Sequence, residues 1–101
     1  MPLLEHHDCQ QIAEILALMG EPSRLRILLL CYDQPYAVSE IAASLNLSLS
    51  LISHHLRLLR SMRILKTEKQ GKQVIYSLHN EHICCILKDV IDHFLNEVGV
   101  E

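Results

Sequence analysis

The fold class that this sequence predicts is a mainly helical domain with one small β-hairpin, and three features predict it. Half of the 101 residues are hydrophobic, yet there is no Trp and a single Phe, so the core must consist of aliphatic side chains, which favours helices packed on helices. Apolar residues repeat at helical spacing in several segments. One stretch alternates with period two around a glycine, which is typical of a hairpin.

The first two helices are predicted from an apolar face and from their boundary residues. The first covers about 7–19, and Gly20 is suited to end it in a left-handed cap. Its apolar face carries Ile12, Ile15, Leu16 and Met19. Pro22 suits the opening turn of the second helix, and Cys31 in the apolar body of that helix is expected in the core. A loop at 33–35 follows.

Two helices joined by a tight turn are predicted over about 38–62. The first of them repeats apolar residues at i, i+3, i+4 and i+7, namely Val38, Ile41, Ala42 and Leu45. Asn46 breaks this run, and the Ser48 hydroxyl can cap the next helix. The second helix continues with a predicted buried stripe of Leu51, Ile52, Leu56 and Leu59.

The other face of that second helix is polar, with short or flat hydrogen-bonding side chains. It carries Ser50, Ser53, His54 and Arg57. Such side chains can enter a DNA major groove and reach base edges, whereas an ordinary helical hairpin has no need of them. This segment is therefore interpreted as a helix-turn-helix whose second helix reads DNA.

Charge is distributed very unevenly along the chain. The formal net charge is −3, but six of the nine Lys and Arg residues fall within 57–72, where Glu68 is the sole acidic residue. These six are Arg57, Arg60, Arg63, Lys66, Lys69 and Lys72. A local basic strip in an acidic protein is typical of phosphate binding, although many charge runs are simply solvated faces. Its place directly after the candidate recognition helix favours phosphate contact.

A β-hairpin is predicted over about 64–78, because period-two alternation flanks Gly71. The tip, Gln70-Gly71-Lys72-Gln73, is polar and basic. A hairpin in this place is a wing, so the fold class becomes a winged helix-turn-helix within one domain, residues 1–101. The residues expected to contact DNA are Ser48, Ser50, Ser53, His54, Arg57, Arg60, Lys69, Gln70, Lys72 and Gln73.

The last predicted helix covers about 80–98, with Asn80 as its cap, and it is unusually apolar. Its stripe consists of Ile83, Ile86, Leu87, Val90, Ile91, Phe94 and Val98. Such a terminal helix needs a partner surface, and a two-fold related copy is the simple solution. The expected assembly is a homodimer through the first and last helices, which would present two recognition helices to double-stranded DNA about 34–36 Å apart.

Several protein classes are excluded or disfavoured. No apolar run approaches the ~20 residues that span a bilayer, and the N-terminus does not match a signal peptide, so a cytoplasmic protein is expected. No nucleophile with a base and an orienting group, and no phosphate-binding glycine loop, indicates an enzyme. The cysteines Cys9, Cys31, Cys84 and Cys85 form no CxxC pair. An adaptor dimer is an alternative class, but it would not require the basic strip.

Three segments together resemble the ArsR/SmtB family of bacterial metal-sensing repressors. They are EPSRLRIL at 21–28, LSLSLISHHLRLLRSMRIL at 47–65 and KQGKQVIYSL at 69–78. The specific part is S-x-S-x-x-S-x-H-L, from Ser48 to Leu56, followed by the wing. The resemblance implies a homodimeric repressor of a palindromic operator that an inducer releases.

The resemblance also implies two candidate metal sites, of which one lacks its ligands here. The family's cysteine pair on the first helix of the helix-turn-helix corresponds to residues 36–40, which contain no Cys. The family's last-helix site, Asp-x-His, ten residues, then His-x-x-His or His-x-x-Glu, corresponds to Asn80-x-His82 and His93-x-x-Asn96. Both histidines match, while both outer ligands depart from the pattern.

The histidine spacing indicates a site shared between two chains. His82 and His93 are eleven residues apart, on one helical face but separated by a rise of about 16 Å. Two antiparallel copies could pair them into two equivalent sites for zinc, or for nickel or cobalt as alternatives. Asn is a weaker donor than Asp, but a nearby carboxylate can compensate, namely Glu81, Asp92 or Glu97, with Asp89 further off.

A thiol site is the competing hypothesis for the inducer. Cys84 and Cys85 point about 100° apart on a helix, so they need a third thiol, and Cys9 of the first helix could approach them across the dimer. Such a set suits a thiophilic, arsenite-like inducer or a redox switch.

His6 and His7 are further candidate ligands for six-coordinate nickel or cobalt. A regulator without any effector also remains open.

Overall fold

A computed structural model describes residues 2–99 as five helices and three short strands. The helices are α1 (His6–Gly20), α2 (Pro22–Asp33), α3 (Val38–Leu45), α4 (Leu49–Ser61) and α5 (Glu81–Glu97). The strands are β1 (Tyr36–Ala37), β2 (Leu65–Gln70) and β3 (Gln73–Leu78). The predicted fold class is confirmed: helices dominate, and β2 and β3 form the hairpin.

The helix ends follow the capping residues. The Ser48 hydroxyl accepts from the backbone N–H of Leu51 at 3.1 Å, and Asn80 Oδ1 accepts from the backbone N–H of Ile83 at 3.2 Å. Asn46 ends α3 in the left-handed conformation, with φ of 56°. Each cap satisfies a backbone group that the helix itself leaves free. The left-handed cap predicted at Gly20 is wrong, because α1 includes Gly20 and the chain leaves it in extended conformation at Glu21.

The sheet has one strand more than the sequence predicted. Its order is β1-β3-β2, all antiparallel, with Tyr36 opposite Tyr76 and Leu65 opposite Leu78. Strand β1 immediately precedes α3, so it joins the helix-turn-helix to the middle of β3. Two residues are too few to show an alternating pattern, which is why sequence periodicity did not predict this strand.

A single aliphatic core lies between the helices and the root of the sheet. Its fully buried members are Ile27, Leu28, Ile41, Ile52, Leu56, Leu59, Ile64 and Leu65. Cys31 is 3 % exposed, as predicted, and burial raises the pKa of its thiol to about 11, so it is held protonated. Leu51, predicted as buried, is 41 % exposed, because it lies about 100° around α4 from Ile52, at the edge of the stripe.

Candidate functional site

The polar face of α4 and the tip of the β2–β3 hairpin form the candidate site. All ten side chains that the sequence nominated are exposed: Ser48, Ser50, Ser53, His54, Arg57, Arg60, Lys69, Gln70, Lys72 and Gln73. The first six lie on α4 or at its cap, and the last four lie on or beside the hairpin turn. Their exposure leaves them free to contact a ligand from outside the fold.

The α4 half of the site opens into a groove of about 460 Å³ beside the sheet. It is lined by Ser53, Leu56, Arg57, Arg60, Ser61 and Tyr76. The apolar side of α4 is anchored by Ile52, Leu56 and Leu59, which are at most 1 % exposed. The burial of one face therefore fixes the direction in which the guanidinium groups of Arg57 and Arg60 project.

The hairpin half of the site faces the start of α3. A second groove, of about 370 Å³, is lined by Ala37, Val38, Ser39, Lys72, Gln73, Val74 and Tyr76. Tyr76 lines both grooves, and sequence reasoning missed it together with Ser39. The alternating pattern did assign Tyr76 to a strand, but only the pairing of β1 with β3 shows that it lies between the two halves.

A third basic surface follows the end of α4. A groove of about 300 Å³ is lined by Arg60, Arg63, Leu65, Lys66, Thr67 and His79. Arg63 has a φ of 57°, and the backbone N–H of Ile64 returns to the Leu59 carbonyl oxygen at 2.9 Å. This tight left-handed turn brings β2 directly back against α4, so Arg60, Arg63 and Lys66 share one surface.

The candidate metal ligands lie along α5 and are spread out within one chain. His82 and His93 are both exposed, as are Asn96 and Glu97. Asn80 is exposed too, but its Oδ1 atom already caps α5 through Ile83. Within residues 2–99 of one chain, no group of three or more His, Cys, Asp or Glu side chains comes together in a way that could hold a metal ion. The nominated donors could form a site only with a second copy.

The candidate thiol residues differ in their surroundings. Cys9 is exposed near the start of α1, Cys84 is half-buried against the core, and Cys85 is exposed on α5. All three are free thiols. The different burial of Cys84 and Cys85 agrees with their divergent directions on the helix, so the two do not form a joint pair of ligands within one chain.

A continuous apolar surface spans α1, α2 and α5. A cavity of about 180 Å³ on it is lined by Leu16, Met19, Gly20, Leu25, Ile86, Leu87 and Val90. The most exposed apolar side chains of α5 are Val90 at 61 % and Phe94 at 59 %. Apolar side chains this exposed and this contiguous are typical of an interaction surface.

No helix within residues 2–99 is both long and apolar enough to cross a membrane.

Similar proteins have been described in bacteria. Residues 21–67 match the family model described as "Bacterial regulatory protein, arsR family". The chain is 39 % identical over 86 residues to the transcriptional repressor SmtB homolog of Synechocystis sp., covering 85 % of this chain and 65 % of the homolog, slightly less than two thirds of its length. It is 31 % identical over 90 residues to the HTH-type transcriptional regulator NmtR of Mycobacterium tuberculosis, covering 89 % of this chain and 75 % of NmtR.

The fold has solved counterparts. The homodimeric winged helix-turn-helix DNA-binding domain of Mb0332 from Mycobacterium bovis superimposes with a TM-score of 0.80 at 22 % identity. The match covers 96 % of this chain and 95 % of that domain. At this identity the likeness concerns the fold alone, and it identifies the helices and hairpin described above as a winged helix-turn-helix.

Proposed function

The chain belongs to the ArsR family of bacterial regulatory proteins, and from that membership we infer that it is a transcriptional repressor that binds double-stranded operator DNA as a homodimer. The family is one of non-enzymatic regulators. The observation that carries the DNA-binding role is that the polar face of α4 and the basic hairpin tip are both exposed, and that Tyr76 lines the groove beside each of them.

The proposed roles of the site residues follow from their chemistry. Ser50, Ser53 and His54 are short or flat hydrogen bonders suited to base edges, and Arg57 can reach a base or a phosphate. The hairpin would contact the phosphate backbone of the DNA through Lys69, Gln70, Lys72 and Gln73, and Arg60 would do the same from α4. Ser48 caps α4 at the end that would enter the DNA major groove. Palindromic half-sites would then lie about one helical turn apart in the DNA.

The homodimer is proposed to form through α1 and α5. Ile12 and Leu16 of α1 are 43 % and 54 % exposed, and they continue the apolar surface of Val90 and Phe94. Burying this surface against a second copy would remove apolar area from water and bring two recognition helices together. One domain, residues 1–101, would then contain the DNA-reading unit at about 38–62, the wing at about 64–78 and the dimerisation helix at about 80–98.

A salt titration tests DNA binding. A binding sequence would first be selected from random duplex DNA, and affinity would then be followed by fluorescence anisotropy at increasing salt. We expect a steep linear fall of log affinity with log salt, with a slope of about −0.9 for each phosphate neutralised, hence several units per dimer. A flat salt dependence, or no enriched sequence, would contradict the proposal.

We further propose that a metal ion bridges two copies of α5 and releases the operator. His82 of one chain would meet His93 of the other, with Asn80, Asn96 and Glu97 as oxygen donors. Imidazole favours zinc, and nickel or cobalt are the alternatives. Holding two α5 helices at a fixed angle would bias the spacing of the recognition helices, which needs a coupling of a few kcal/mol.

A zinc titration of the reduced, metal-free dimer, with DNA affinity followed in the same samples, separates the inducer hypotheses. Two ions per dimer and weakened DNA binding are expected, and His82→Ala and His93→Ala should each abolish this response while preserving DNA binding. If both variants still respond, the site lies elsewhere. Tight DNA binding indifferent to zinc, nickel and cobalt would favour the thiol set Cys9, Cys84 and Cys85, tested next with arsenite or an oxidant.

A further inference from the structure

A buried histidine on α4 faces away from the proposed DNA surface. His55 is 7 % exposed, the one buried polar or charged residue within 2–99, and its neighbour His54 is exposed. The Nδ1 atom of His55 lies 3.2 Å from Nη1 of Arg24, which comes from α2 and is separated from it by 31 residues in sequence. This contact ties the back of the recognition helix to another element of the fold.

The Arg24 side chain is itself bonded to α1, at the capped start of α2. Its Nε atom donates to the backbone carbonyl oxygen of Leu18, in the last turns of α1, at 2.7 Å. The Glu21 carboxylate caps α2 by accepting from the backbone N–H groups of Ser23 and Arg24. Since the guanidinium is a rigid planar fork, one bond to α1 fixes where its other nitrogens reach α4.

The contact sets the protonation state of His55. Arg24 is always protonated and can only donate, so Nδ1 of His55 must be the acceptor. The imidazole is therefore neutral, with its proton on Nε2. A second proton on Nδ1 would abolish the bond and place two cations 3.2 Å apart.

We propose that Arg24 and His55 are a positioning pair that holds the recognition helix α4 against α1 and α2, and that protonation of His55 releases it. The pair touches no DNA and acts through the placement of α4. This proposal rests on the proposed function, because α4 must read DNA for its position to affect affinity. The consequence is a repressor whose operator affinity falls in mildly acidic conditions.

The charged groups around the pair support this direction. Burial lowers the pKa of His55, the carboxylate of Glu21 at the cap of α2 raises it in part, and Arg24 of α2 and His54 of α4 lower it further, leaving it below its ordinary value. On α1, Glu14 lines the same cavity as Arg24. Because the pKa of His55 is lower in the folded chain, the neutral imidazole stabilises the fold above about pH 6.5, and this stability is lost as pH falls towards the folded value.

Two substitutions of His55 distinguish the role of its hydrogen-bond acceptor from the role of its side-chain volume. His55→Asn keeps an acceptor near the Nδ1 position but cannot be protonated, whereas His55→Phe keeps the ring and removes the acceptor. Operator affinity of metal-free protein would be measured at about pH 7.5 and at a lower pH at which nitrogen NMR shows His55 to be protonated, because the folded chain lowers the pKa of this residue. His54 remains in every variant, so its contribution to affinity cancels in the comparison with wild type.

Relative to His55→Asn, we expect the wild-type chain to lose roughly an additional tenfold in affinity between the two pH values, the usual worth of one hydrogen bond. His55→Phe should show a similar loss already at the higher pH. Identical pH profiles for wild type and His55→Asn would overturn the proposal. If His55→Phe does not fold, the comparison of the wild-type and His55→Asn pH profiles still tests the proposal.

Substitutions of arginine provide a matched control. Arg24→Lys keeps the charge but a single ammonium cannot reproduce the fork between Leu18 and His55, so affinity should fall severalfold. Arg26→Lys is the control, since Arg26 is exposed on the same helix and its one side-chain hydrogen bond within residues 2–99 is to the Leu45 carbonyl oxygen, at 3.4 Å. Equal effects of the two substitutions would count against a positioning role.

Nitrogen NMR of the imidazole in DNA-free protein keeps this proposal distinct from the proposed function. The expected neutral-pH signal is an unprotonated Nδ1 and a protonated Nε2 on His55, and the opposite tautomer would overturn the pair. If the wild-type chain selects no DNA at all, the proposed function fails, and with it the effect on affinity. The NMR result would still report whether the pair exists.

Discussion

Arg57 and Lys72 represent the two halves of the proposed DNA interface, one on the recognition helix and one on the wing. Both side chains are exposed and support no buried contact, so alanine at either position should leave thermal stability unchanged. Each substitution should weaken operator binding and lower the salt slope by about one per lost phosphate contact, or about two per dimer. Anisotropy titrations at several salt concentrations measure both quantities.

Arg26→Ala is the matched control for these two variants, because Arg26 carries the same charge on an exposed part of α2 away from the grooves. Its salt slope should equal that of the wild-type chain. If Arg57→Ala and Lys72→Ala behave like this control, the proposed footprint is wrong.

Arg63 combines a basic side chain with a backbone conformation that favours glycine. At a φ of 57°, a side chain with a Cβ costs roughly 1–2 kcal/mol, which glycine avoids. Arg63→Gly should therefore be more stable than Arg63→Ala by about 1 kcal/mol in urea denaturation. Both variants lose the same charge, so their difference isolates the backbone effect, and equal stability would contradict the left-handed turn.

At the scale of elements, α5 begins at a residue with two proposed uses. Asn80 caps the helix, and it also occupies a position that the family's metal pattern assigns to Asp. Asn80→Ala should cost about 1 kcal/mol of stability even without metal. Asn80→Asp should preserve the cap and strengthen zinc binding about tenfold, since a carboxylate is a better donor than a carboxamide.

Calorimetry of the metal-free and zinc-loaded forms distinguishes these two effects. Asn80→Ala should lower the melting temperature without metal, whereas Asn80→Asp should match the wild-type chain until zinc is added. Unchanged zinc affinity in Asn80→Asp would remove residue 80 from the proposed ligand set.

Local signals in the sequence predicted most elements, because their boundaries depend on nearby residues. Ser48, Asn46 and Asn80 each act within about one helical turn, and the alternation around Gly71 lies within the hairpin itself. Strand β1 was missed because it exists through pairing with β3, some 39 residues further along the chain. A strand of two residues is too short to show the alternation of apolar and polar residues by which strands are recognised in a sequence.

The candidate site was predictable to a similar extent. The exposure of the ten residues nominated for DNA contact follows from the burial of the opposite face of α4 and from the polar hairpin tip. The role of Tyr76 between two grooves and the contact of Arg24 with His55 depend on elements that meet only in the folded chain. His55 is the histidine of the S-x-S-x-x-S-x-H-L pattern, so the sequence singled it out. Its contact with Arg24 of α2 became visible only in the folded chain.

For the molecule as a whole, the proposed dimer depends on Val90, which is 61 % exposed and lines the apolar cavity between α1, α2 and α5. Val90→Glu would bury an unpaired charge in each copy, so the dimer dissociation constant should rise more than roughly a hundredfold. Lys88→Glu is the control, because it places the same side chain on an exposed part of α5 and replaces a surface ion pair with Asp92 by a like-charge pair, a change of a few tenths of a kcal/mol. Analytical ultracentrifugation measures the change.

Operator affinity should fall with dimerisation in Val90→Glu and remain close to wild type in Lys88→Glu. A monomeric Val90→Glu protein that still binds its full operator with unchanged affinity would contradict the homodimer. A dimeric Val90→Glu protein would instead place the interface on another surface.

Because of the short strand β1, the position of the wing should change together with that of the recognition helix. It pairs with β3 directly before α3 begins, and the left-handed turn at Arg63 joins the end of α4 to β2. Hairpin and helix-turn-helix are thus connected at both ends and should rotate together. Paired spin labels at Glu68, an exposed residue of β2 outside the proposed DNA contacts, one on each copy, would therefore record the separation of the two DNA-reading units in any ligand state, with no label on α4 itself.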